Sequence, residues 1–156
     1  MESSKTIRIR TSIDDLEDIQ MISSMIWEGI ESRFQIHKLE SSIPNLENKV
    51  FGEELRWTNP VYESKEWPKK IQFTIEKDSL LGLNNQSQTF QIIASNMGSI
   101  TLRPLDAKKY PIFYMSLCKY SDETYQWENE EKERLEPNLW ENYFLMAIRN
   151  YFNNIH

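Results

Sequence analysis

Cysteine is nearly absent. Cys118 is the only one in the chain, so no disulfide can form within it. Histidine is scarce as well. With only His37 and His156 present, any Ser/His or Cys/His nucleophilic site must use one of the two. A zinc site would lack the local ligand pairs such sites usually show. The four glycines, Gly29, Gly52, Gly82 and Gly98, are scattered. Phosphate-cradling loops need clustered glycines so that backbone N–H groups can approach the anion, and neither a P-loop nor a dinucleotide fingerprint is present. A G-x-S-x-G elbow is missing too. No apolar run approaches the roughly 18 residues that would cross a bilayer. The leading MESSKTIRIRTS has no apolar core of the kind a secretory signal requires. Concentrated positive charge is also missing. Lys69-Lys70 and Lys108-Lys109 are isolated pairs, the net charge is -6 and the pI is about 5.0, which argues against general nucleic-acid binding. Asn85-Gln86-Ser87 matches a glycosylation sequon that is common by chance. These features together suggest a cytoplasmic protein.

The 156 residues suit one domain, 1–156, and need no metal or disulfide staple. Aromatic residues make up 12% of the chain, too many for global disorder. Lys5 to Thr11 alternates Ile7 and Ile9 with polar residues, the period of a half-buried strand with Arg8 and Arg10 on its wet face. Ser12 and Asp15 form a capping-box-like start. Leu16, Ile19, Ile22, Ile26, Ile30 and Phe34 then recur at helical steps and predict a helix from about Ile13 to Arg33, with Met21 and Met25 off its apolar stripe. His37 follows as a structural histidine. Segment 41–69 is interrupted by Pro44, Pro60 and Pro68 and reads as a connection, with a short helix through Leu46, Val50, Phe51 and Leu55.

Ile71, Phe73 and Ile75 alternate with polar residues as in a strand. TFQIIAS, Asn96-Met97-Gly98 and SITLRP read as a hairpin that Pro104 ends. YPIFYMSLCKY suits a central strand covered on both faces, with Cys118 an inert thiol within it. After Pro137, a broad apolar arc runs from Trp140 and Phe144 through Ile148 to Phe152 and Ile155. It predicts a helix clamped between a sheet and something else. The order implies an α+β fold. Its sheet would be mainly antiparallel, of about 4–5 strands, packed by an N-terminal and a C-terminal helix on one face.

Segment 121–136 holds seven acidic and two basic residues, so it carries -5 of the total -6. Such a run is commonly a solvated face, with any tryptophan in it packed on the core. Here Tyr125 and Trp127 lie inside it, and aromatic anchors within a negative patch suit recognition of a basic protein surface. The contact residues so nominated are Asp122, Glu123, Tyr125, Trp127, Glu128, Glu130, Glu131 and Glu133. This reading gives a non-enzymatic, protein-binding inhibitor with no catalytic residue, cofactor or metal. In size and charge it is similar to the cognate immunity proteins that neutralise bacterial nuclease toxins, a likeness that covers no motif. The alternatives are an enzyme or small-ligand binder whose cavity is lined by the aromatics of 57–67, or a subunit docked through the last helix.

Overall fold

A computed structural model describes residues 7–41, 55–77, 86–106 and 111–154. The short helix expected through Leu46, Val50 and Phe51 lies outside them, as do Asn85, Lys108-Lys109 and His156. Alternating sequence becomes a meander. Strands β2 (Leu55–Glu63), β3 (Lys69–Lys77), β4 (Gln86–Ser95), β5 (Ser99–Pro104), β6 (Phe113–Tyr120), β7 (Tyr125–Glu128) and β8 (Arg134–Leu135) pair antiparallel in chain order. The two-residue β1 (Arg8–Ile9) adds to β6 on the edge opposite β7, since Lys119 pairs with both Ile9 and Tyr125. Among the described residues the sheet thus has eight strands rather than the 4–5 expected.

The additional strands come from segments whose polar or broken patterns conceal them. β2 contains Pro60, which offers no N–H to a ladder. It is tolerated because β2 is an edge strand and its pairing with β3 is irregular between Thr58 and Val61. β7 and β8 are short and lie in the acidic segment, held by neighbours rather than by apolar alternation.

Direct pairing places Phe73 beside Phe90, and Ile71, Ile92, Leu102 and Phe113 in one row. Leu117, Trp127 and Leu135 form another row on the same face. Two helices cover this face, α1 (Leu16–Ser41) and α2 (Trp140–Asn154), each preceded by a 3-10 turn. The expected first helix therefore extends beyond Arg33, and His37 lies within it. On α1, Ile19, Trp27, Ile30 and Phe34 are buried, while Met21 and Met25 face out as their spacing implies. On α2 the four-residue steps Trp140, Phe144, Ile148 and Phe152 are buried. The helices and sheet share one core. Phe34 meets Phe73 at 5.0 Å between ring centroids, Phe144 meets Phe113 at 5.3 Å, and Phe34 stacks on Trp140 at 6.5 Å. Burying a side chain of this kind stabilises by roughly 1.5–3 kcal/mol. The apolar arc of α2 is accounted for by the sheet and α1.

Among the described residues the opposite face has no helix. It carries polar ladders such as Gln72–Gln91–Arg103 and Thr74–Thr89. β6 is central in strand order, but among the described residues helices lie on only one of its faces. Tyr114, Ser116, Cys118 and Tyr120 on the other are half-buried, which corrects the expectation of full cover on both sides. Among the described residues no helix is long and apolar enough to cross a membrane.

Candidate functional site

The acidic segment is divided by its own strands. Asp122 and Glu123 lie in the turn between β6 and β7. Glu130, Glu131 and Glu133 lie at the other end of β7, in the turn to β8. Glu128 ends β7 and is only 1% exposed, while Trp127 points to the core face and is 4% exposed. Five of the eight nominated residues thus fall in two turns at the ends of β7, and the other three, Tyr125, Trp127 and Glu128, lie within the strand.

At the first turn the charges are engaged locally. Asp122 accepts from the Thr124 hydroxyl at 2.6 Å and the Thr124 N–H at 3.2 Å, and the hydroxyl bond holds its carboxyl below the ordinary value. Glu123 has a φ of +69° and lies 3.8 Å from Lys119. Lys119 donates to Asp15 Oδ1, which also accepts from the Tyr125 hydroxyl at 3.0 Å. Asp15 Oδ2 accepts the Ser12 backbone N–H at 2.7 Å, the reverse half of a capping box. The Lys119 ammonium, followed by the Ser12 N–H, holds the Asp15 carboxyl far below the usual carboxylate range. Desolvation raises the Tyr125 phenol, and Asp15 adds to it. Tyr125 thus ties β7 to the entry of α1.

On the helix-free face, Glu128 Oε1 accepts from Arg8, and Oε2 has no hydrogen-bond partner among the described residues. Glu128 lies opposite Ser116 and Arg8 opposite Tyr120, with Cys118 between those two positions on β6. Burial pushes the Cys118 thiol above its ordinary value, and the Glu128 carboxylate pushes it further. A raised thiol pKa lowers the thiolate fraction on which reactivity depends.

The second turn is different. Asn129 Oδ1 accepts the N–H of Glu131 at 2.9 Å and of Glu133 at 3.0 Å, and Lys132 closes the loop at φ +64°. All three glutamates are exposed, and among the described residues none forms an ion pair. Hydrogen bonding to Glu133 and the charges of Glu133 and Glu130 push the Glu131 carboxyl up. Glu130 and Glu131 also line a depression of about 210 Å³ with Phe113 and Tyr114. Carboxylates beside aromatic rings can accept an ammonium or guanidinium group.

A second feature, which sequence reasoning missed, is an apolar groove of about 330 Å³. Ile22, Met25, Ile26 and Gly29 of α1 form one wall, Pro137, Asn138 and Trp140 the other, and Trp127 contributes to the lining between them. Beyond Gly29 and Asn138 it continues into a more polar depression that includes Arg33 and Glu141, bonded at 2.7 Å. Of the aromatics of 57–67, Tyr62 and Trp67 pack against the core and do not line it. Trp127, nominated as a partner-binding anchor, is buried and contributes to the lining here. The only hint in the sequence was Gly29, an isolated glycine inside a helical pattern.

Among the described residues no group of three or more His, Cys, Asp and Glu side chains is placed to hold a metal ion. In comparison with known proteins, the chain matches no family model, no curated protein and no solved structure.

Proposed function

We propose that this chain is a non-enzymatic binding module, inhibitor- or immunity-like, that occludes a basic partner protein in the cytoplasm. The observation that carries this reading is the β7–β8 turn. The Asn129 side chain accepts the backbone N–H groups of Glu131 and Glu133, so that three exposed glutamates share one turn, and two of them, Glu130 and Glu131, line a depression beside Tyr114. Exposed carboxylates with no cationic partner among the described residues present a negative field that can steer a cationic surface. A lysine or arginine entering the depression would relieve their repulsion and meet the ring of Tyr114. Asp122, Glu123, Tyr125 and Glu128 then serve mainly to fix the strand that presents the turn.

The test is capture from the native cell lysate, with wild type and the triple variant Glu130→Lys, Glu131→Lys, Glu133→Lys as baits. A basic protein held by wild type at low salt, released as salt rises and not held by the variant is the expected result. Equal capture by both baits refutes the role of the turn.

A further inference from the structure

We propose that the groove between α1 and the Pro137–Trp140 segment is the anchor site for that partner. It would take an apolar side chain carried on a lysine- or arginine-bearing helix. This inference rests on the binding reading above and deepens it by giving the partner a second, apolar point of contact.

The argument begins at Gly29. A glycine inside a helix is disfavoured because it surrenders more backbone freedom than any other residue. Packing does not require one here, since a Cβ at Gly29 would meet nothing within 4 Å. The effect of the missing side chain is to leave open the place where the two depressions join, because Gly29 lines both. The apolar part lies between Trp127 and Trp140 and has the size of one or two large apolar side chains. Met25 in its wall and Met21 one turn earlier are more than half exposed, and unbranched thioethers adapt to the shape of what they touch. Aromatic walls around a desolvated pocket are where interfaces concentrate their energy.

The rim selects the charge of the occupant. Arg33 is matched by Glu141, and Arg134 lies 3.7 Å from Glu136. Asp18 lies one helical turn before Ile22, and Glu28 one turn after Met25. Both are exposed and form no ion pair among the described residues. The rim is therefore negative, complementary to a cationic segment and repulsive to an acidic one. A basic amphipathic helix that places apolar residues at i and i+4 meets both demands.

The test uses three fluorescein-labelled synthetic helical peptides. The first is an alanine–lysine helix with leucines at i and i+4, the second replaces its leucines by alanine, and the third replaces its lysines by glutamate. Wild type should bind the first at least about tenfold more tightly than the other two, by fluorescence anisotropy. Gly29→Phe, which fills the groove without altering charge, should weaken the first peptide to the level of the second, with an unchanged circular dichroism spectrum. The triple turn variant should keep the difference between the first and second peptides. If Gly29→Phe binds like wild type, the groove is not the anchor site. Should the triple variant then still lose capture in lysate, the binding reading survives without it. Loss with Gly29→Phe but unaltered lysate capture by the triple variant keeps the groove and refutes the turn. Absence of any peptide binding to wild type overturns the groove inference. So does a wild-type dimer in sedimentation that Gly29→Phe makes monomeric, which would assign the groove to a second copy of the chain.

Discussion

Lys119, near the end of β6, donates to the Asp15 carboxylate, 104 residues earlier, at the turn that leads into α1. With Tyr125 and Ser12 it forms a small polar cluster on the otherwise apolar, helix-bearing side of the sheet. The cluster secures the entry of α1, the helix that provides one wall of the groove.

This bond makes stability depend on pH in a stated direction. The Asp15 carboxyl is held below its unfolded value, so its contribution is complete above about pH 5 and is lost as pH falls from there through the folded value. Lys119 is raised by the same bond, so its contribution is lost only above about pH 10. Asp15→Asn should be less stable than wild type at neutral pH. Between about pH 6 and about pH 3 its thermal midpoint should fall less than that of wild type. Parallel falls would mean that Asp15 is not the titrating group.

Glu128 is buried and Arg8 is its cation. Arg8→Ala leaves a buried carboxylate uncompensated. Because the Arg8 side chain is 40% exposed, solvent screening is expected to bring the cost below that of a fully buried pair, to about 2 kcal/mol. The double variant Arg8→Met, Glu128→Leu removes both charges and should recover most of that loss. Urea unfolding of wild type and the two variants measures it. A change within about 0.5 kcal/mol for Arg8→Ala would show the pair to be dispensable.

The two described glycines should respond oppositely to alanine. Gly29→Ala adds a Cβ in open space and should stabilise the protein by about 0.5–1 kcal/mol. Gly98 has a φ of +82°, and a Cβ there would lie 2.7 Å from the Leu117 Cβ. Gly98→Ala should therefore destabilise by about 2 kcal/mol, from the left-handed backbone and the clash together. Denaturant midpoints decide both, and a stabilised Gly98→Ala would contradict the hairpin geometry.

Much of this protein was determined by the sequence alone. The three- and four-residue steps of Ile19, Ile22, Ile26, Ile30 and Phe34, and of Trp140, Phe144, Ile148 and Phe152, are local patterns. They imply helices because periodicity belongs to a segment by itself. The same holds for Ile71, Phe73 and Ile75, and for the Asn96-Met97-Gly98 turn, where a left-handed residue was needed. Tertiary structure decided what these patterns cannot express. Pro60 sits in a strand because that strand is an edge. Glu128 is buried and Glu130 exposed, although two positions apart, because Arg8 reaches the first from 120 residues away. Trp127 became a groove wall because Pro137 and Trp140 meet α1 beside it. A residue's burial and the partner of its charge depend on which distant segments come together, and no local spacing carries that information.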